Sequence, residues 1–171
     1  MKTKKKKTTF DVIIVGGGPA GLFGAYYLAE HTSLSVLVVD KGRAPLKRTC
    51  PIKDKGCIKC KPCNILCGIG GAGLFSDGKL NFIHKLGKTD LTQFMTVSAA
   101  RQLIDETEQI FNRFGMDGQV YPTDLERAHQ IRKDARKSGI DLLVIKQKHL
   151  GSDNLPNHIA QMADYIKGRG V

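Results

Sequence analysis

Three clusters in this chain gather residue types that do chemistry. Gly16, Gly18 and Gly21 stand in a Gly-x-Gly-x-x-Gly spacing, and the acid Asp40 follows 19 residues after Gly21. Cys50, Cys57, Cys60, Cys63 and Cys67, all the cysteines of the chain, fall within 18 residues. Directly after them Gly68, Gly70, Gly71, Ala72, Gly73 and Gly78 crowd a second glycine-rich stretch that also carries Ser76, Asp77 and Lys79.

The first spacing suits a dinucleotide. Gly16 permits a sharp turn, Gly18 lets the backbone approach a diphosphate with no Cβ in the way, and Gly21 lets a helix lie close on a strand. A helix opened by Pro19 and Ala20 presents unpaired N–H groups and the positive end of its dipole to that diphosphate. Asp40, at the end of the next strand, is placed to accept hydrogen bonds from ribose hydroxyls, and its charge disfavours a 2′-phosphate, so NADP fits poorly. Lys41 beside it joins the candidate binding set.

The cysteines carry several readings that stay open on sequence alone. Cys57-x2-Cys60-x2-Cys63-x3-Cys67 has the bacterial ferredoxin spacing of an iron–sulfur cluster. The proline that normally follows the last ligand is replaced by Gly68, and Cys50-Pro51 offers a more distant fourth thiolate. Four thiolates also suit zinc, a C-x2-C pair also suits a redox dithiol, and reduced structural cysteines need neither. The surrounding lysines favour thiolates and an anionic cluster. The five histidines, His31, His84, His129, His149 and His158, have no mutual metal spacing and read as surface or core residues.

In the second glycine stretch, small residues allow close approach of backbone to a ligand. A linker does not normally interleave Leu74, Phe75, Leu80 and Phe82, so Gly70, Gly71, Ala72 and Gly73 are read as part of an ordered binding loop rather than a flexible connection.

The elements that position these clusters follow from periodicity. Phe10 to Val15 reads as a strand buried on both faces, Pro19 to Glu30 as a helix, and Ser35 to Val39 as a second buried strand. Strand, glycine turn, helix, strand makes a right-handed crossover between parallel neighbours. From Lys41 to Lys88 no period persists, and so long an irregular stretch in a compact domain is usually functional or disordered. Beyond it, Ala99, Ala100, Leu103, Ile104, Thr107, Ile110, Phe111 and Phe114 mark one face of a helix stopped by Gly115. Leu125, Ala128, Ile131 and Ala135 mark a second helix ending near Gly139, Leu142 to Ile145 a strand, and Asn154 to Lys167 a last helix with Leu155, Ile159, Met162, Ala163 and Ile166 inward.

Length and charge set the outer limits. The 171 residues, 41% apolar and 25% charged, describe a globular chain with material for one core, which excludes disorder and collagen-like structure. The net charge of +11 sits in Lys2, Lys4, Lys5, Lys6 and Lys7 and in the segment Lys41 to Lys61, while the remainder is close to neutral. A leading lysine run reads as a solvated disordered tail; RNA or anionic lipid is the competing reading, and no nucleic-acid or membrane partner is demanded. The apolar stretch from Val12 is not a secretory signal, because Asp11 opens it and Gly16 to Pro19 interrupt it. A cytoplasmic protein with reduced thiols is the expectation.

The stretches DVIIVGGGPAGLFGAYYLAE, VVDKG and CPIKDKGCIKCKPCNILCGIGGAGLFSDGKLNF, with His149, Leu150, Gly151 and the final helix, carry a family likeness. They resemble the N-terminal part of the FAD-dependent dehydrogenases, closest to a largely uncharacterised group related to the geranylgeranyl reductase flavoproteins. The resemblance implies a two-domain FAD oxidoreductase. In it Gly16, Gly18, Pro19, Ala20 and Gly21 hold the FAD diphosphate, Asp40 the adenosine ribose, and the Gly70 to Gly73 loop lies near the flavin; Lys79, from the residues of the second glycine stretch alone, is a candidate to polarise a flavin carbonyl or steady a phosphate. NAD(P)H is the implied electron donor, and the substrate is an unspecified small molecule. An iron–sulfur flavoprotein passing single electrons, or a noncatalytic nucleotide- or RNA-binding module, are the competing functions.

The expected fold is therefore α/β: a Rossmann-like FAD-binding βαβ unit with a long Cys/Gly-rich insertion and following helices. The expected boundaries are a basic tail over 1–9, the Rossmann segment with its loop over 10–88, a helical and strand segment of the substrate domain over 89–153, and a helix over 154–171 leading to a third Rossmann strand. Against a full two-domain flavoprotein that third strand, a later strand with an Ala-Thr-Gly turn and a C-terminal Gly-Asp are missing, so a fragment is expected.

Overall fold

A computed structural model describes residues 9–52, 56–151 and 153–171. The lysine run from Lys2 to Lys7, and with it nearly all of the expected 1–9 tail, lies outside the described residues, as do Lys53, Asp54, Lys55 and Ser152. In chain order the elements are β1 (Val12–Val15), α1 (Pro19–His31), β2 (Val36–Val39), β3 (Lys79–Phe82), β4 (Lys85–Leu86), β5 (Thr89–Asp90), α2 (Val97–Arg113), β6 (Val120–Tyr121), α3 (Leu125–Lys137), β7 (Lys146–His149) and α4 (Leu155–Gly168). Short 3-10 turns cover Pro45–Lys47, Ala72–Phe75 and Leu91–Gln93.

The chain forms two compact units, one from residues up to Ser76 together with those from 153 onward, the other from Asp77 to Gly151. Each buries its own small core, whereas composition suggested one. Leu22, Ala25, Tyr26, Val36, Leu74, Leu155, Met162 and Ile166 are buried in the first, and Ala100, Phe114 and Met116 in the second. The division at 76/77 precedes the 88/89 boundary read from sequence because β3 already belongs to the second unit's sheet.

In the first unit β1 and β2 pair in parallel, Val12 opposite Val36 through Val15 opposite Val39. The α/β βαβ arrangement of a Rossmann-like unit is thus present. Pro19 begins α1, where its missing N–H costs nothing. A Cβ on Gly24 would stand 3.9 Å from Ile14 Cδ1, so α1 packs on the face that carries Ile14. The opposite face is open: Ile13 is 60% and Val15 85% exposed. This corrects the expectation of a strand buried on both faces, which requires helices on both sides of a sheet.

The second unit is an antiparallel sheet in the order β3-β7-β6 with α2 against β3. Leu142 to Ile145, expected as a strand, lie outside it, and β7 begins one residue later at Lys146. The hydrogen-bonding partners decide this: β7 pairs with β3 and β6 through Lys146 to His149, while Leu142 and Leu143 are largely exposed. The inward face of α2 is largely the expected one, with Ala100 and Phe114 buried and Ile104, Thr107, Ile110 and Phe111 half-buried, but it also takes in Glu108. Leu103 is turned out. Glu108 is drawn in by Lys148, whose ammonium lies 3.1 Å away and also donates to Asn112 at 2.6 Å, and by a second ion pair with Lys146.

Candidate dinucleotide-binding site

The glycine turn between β1 and α1 has the geometry its spacing predicts. Gly16 takes φ +105°, a conformation that other residues rarely adopt, and its N–H donates to Val39 O at 2.8 Å, joining the turn to the end of β2. Gly21 is a true close approach, because a Cβ there would stand 1.9 Å from Gly16 O. Gly18 caps α1 with extended backbone, and no acid lies in its first turn. Among the described residues no side chain caps the positive end of α1, and such an end attracts anions. Ala25 is fully buried behind the turn.

Asp40 ends β2 beside this turn and holds it. One carboxylate oxygen accepts from Gly17 N–H at 2.8 Å and the other from Gly42 N–H at 2.7 Å. Burial pushes the Asp40 pKa up, but the N–H groups of Gly17, Gly42 and Gly68 and the charge of Arg48 outweigh it and hold the carboxyl below its ordinary value. An ionised carboxylate has about four lone-pair sites, more than these N–H groups occupy. Lys41 next to it is exposed.

The second glycine stretch is an ordered loop seated on the first. Gly70 N–H donates to Gly17 O at 2.7 Å, and a Cβ on Gly71 would come within 3.2 Å of both Gly18 Cα and Pro19 Cδ. Ala72 and Gly73 lie in the 3-10 turn whose Leu74 is almost fully buried. The structure thus brings Gly16, Gly18, Pro19, Ala20, Gly21, Asp40, Gly70, Gly71, Ala72 and Gly73 into one unit. Lys79 instead opens β3 in the second unit, where it pairs with Asp77 at 2.8 Å.

Two residues of this region escaped the sequence reading. Gly42 allows the chain leaving β2 to meet the second loop, for a Cβ there would fall 2.3 Å from Cys67 C and Gly68 N. The signal was present as a glycine two residues after the motif acid. Arg48 was counted with the basic segment, yet it is only 4% exposed. Its guanidinium donates to the carbonyls of Asn64 (2.9 Å), Ile65 (2.7 Å), Ile69 (2.8 Å) and Gly68 (3.4 Å), and stacks 5.0 Å from the Phe75 ring centre. Burial lowers its pKa against the opposing pull of Asp40, Cys67 and Cys63. No sequence pattern separates such an arginine from its solvated neighbours.

All five cysteines are free thiols, Cys50 and Cys57 exposed and Cys60, Cys63 and Cys67 half-buried. Among the described residues no three His, Cys, Asp or Glu side chains gather into a set able to hold a metal ion. Among the described residues the cysteines are thus not gathered as the iron–sulfur or zinc ligand set their spacing suggested. The chain from Asn64 to Ile69 is wound around Arg48, and the Cys57 sulfur accepts from Lys59 N–H at 3.4 Å.

Residues 14–58 match a family described as the NAD(P)-binding Rossmann-like domain. A stretch of 41 residues is 46% identical to an uncharacterised protein of Methanosarcina barkeri (strain Fusaro / DSM 804), spanning 24% of this chain and 10% of that protein. The matched stretch covers the end of β1, the glycine turn, α1, β2, Asp40 and Arg48. The chain thus carries a Rossmann-type nucleotide-binding unit of the kind oxidoreductases use. Among the described residues no helix is long and apolar enough to cross a membrane.

Proposed function

We propose that this chain is the FAD-binding portion of a cytoplasmic FAD-dependent oxidoreductase, a dehydrogenase acting on a small molecule with NAD(P)H as electron donor. The observation that carries the reading is the second glycine loop seated on the dinucleotide turn through Gly70 N–H to Gly17 O. A dinucleotide turn alone serves many nucleotides, whereas a second small-residue loop beside it agrees with the family resemblance, in which that loop lies near the flavin.

In this reading Gly16, Gly18, Pro19, Ala20 and Gly21 place the N-terminus of α1 against the diphosphate. Asp40, with Lys41 at its side, receives the adenosine ribose on its remaining lone-pair capacity. Gly70, Gly71, Ala72 and Gly73 line the path towards the flavin with no side chain larger than a methyl group. FAD, when bound, supplies the hydride and electron transfer, and the protein supplies orientation and electrostatics.

Titration of the full chain into FAD tests this directly, with flavin fluorescence as the readout. Saturable quenching that ADP competes away and NADP does not is the expected result. Unchanged fluorescence at excess protein overturns the reading.

A further inference from the structure

A buried arginine that spends its whole fork on carbonyls needs a reason, since an apolar side chain fills the same space at no desolvation cost. The connectivity of the peptides around Arg48 supplies one. In a trans peptide the C=O and the following N–H point in opposite directions. Arg48 Nη1 donates to Ile69 O at 2.8 Å, and the N–H of that same peptide, on Gly70, donates to Gly17 O at 2.7 Å. The peptide after Gly17 O ends in Gly18 N–H, which therefore points away from Gly70. Asp40 fixes the preceding peptide by accepting Gly17 N–H at 2.8 Å. Among the described residues no protein acceptor takes Gly18 N–H, and Gly18 is the uncapped entry to α1.

We propose that Arg48 is a positioning residue of the dinucleotide site: through the Ile69–Gly70 and Gly17–Gly18 peptides it aims the Gly18 amide at the ligand's diphosphate. The relay rests on the nucleotide-binding reading above and gives it a determinant outside the glycine motif. Hydrogen bonds in series polarise one another, so a fixed cation at one end strengthens the donor at the other. Lysine keeps the charge but cannot span four divergent carbonyls, which makes Arg48→Lys a graded test.

The experiment is an amide nuclear magnetic resonance titration of the isotope-labelled full chain with ADP and, separately, with adenosine, for the wild type, Arg48→Lys and Arg48→Met. Expected is an ADP affinity lowered by at least about fivefold in Arg48→Met and less in Arg48→Lys. Adenosine affinity stays within about twofold, because only the diphosphate meets Gly18. The Gly18 and Gly70 amide protons should shift in both variants before any ligand is added, while those of β1 stay in place. Equal losses for ADP and adenosine, or ADP binding that does not change, overturn the relay. If the wild type binds neither ligand, the nucleotide-binding reading falls, and the ligand-free shifts still decide whether Arg48 orients Gly18. Should Arg48→Met fail to fold, Arg48→Lys carries the same comparison.

Discussion

Asp40 does two jobs with one carboxylate, and this makes its acid titration a probe of the turn. Its oxygens accept Gly17 and Gly42 N–H, and its pKa lies below the ordinary value of 3.8. A carboxyl whose folded-state pKa is depressed contributes stability that is fully present above its unfolded pKa and is lost as pH falls through the folded one. Asp40→Asn keeps the shape but puts an NH2 group against one of the two N–H donors, at a cost of about 2 kcal/mol at neutral pH. Urea unfolding across pH should show this gap between wild type and variant intact above 3.8 and closing as the pH drops further. A gap that stays constant into strong acid contradicts the assignment. The glycine motif and its acid were legible in the sequence because each has a fixed mechanical task at a fixed spacing. Arg48 and Gly42 were not, because their partners, Asn64 to Ile69 for the one and Cys67 and Gly68 for the other, come from a segment with no periodicity to announce its path.

At the scale of elements, α1, α2, α3 and α4 start and stop within a few residues of where apolar spacing, Pro19, Gly115 and Gly139 place them. Strands were harder to read. Leu142 to Ile145 look like a strand by composition and are not one, whereas Lys146 to His149 look polar and form the centre of the second unit's sheet. Side-chain character marks what a strand buries, but the ladder of backbone partners decides where it lies. The same sheet explains the inward turn of Glu108. Lys146 and Lys148 alternate to one face of β7, and both ammonium groups lie near the Phe82 ring, at 5.5 and 5.8 Å. Burial raises the Glu108 pKa, while hydrogen bonds from Lys146 and Lys148 outweigh it and keep the carboxyl below its ordinary value. Glu108→Gln leaves the Lys148 ammonium, whose side chain is 4% exposed, without its counter-charge and should cost about 3 kcal/mol. Lys148→Met leaves Glu108 still paired with Lys146 and should cost distinctly less. Chemical denaturation of the two variants checks the order, and equal losses would mean that the cluster contributes packing rather than charge balance.

The whole molecule combines a Rossmann-type unit, with two glycine loops locked together, and a second α/β unit built on an antiparallel sheet. Its net charge of +11 reads from sequence as a surface property. The structure takes one of those charges inside, where Arg48 donates to the carbonyls of the chain from Asn64 to Ile69. The cysteine run, the most arresting pattern in the sequence, does not gather into a metal-ligand set among the described residues, and the proposed site rests on the small residues on either side of it. The most direct measurement of the central claim is an anaerobic ultraviolet–visible spectrum of the full chain after dialysis against excess FAD and removal of free ligand, repeated after acid release. The account predicts two visible flavin bands and fluorescent flavin released at one per chain, with no broad iron–sulfur absorbance beneath them. A colourless protein that retains no flavin after this loading would contradict it.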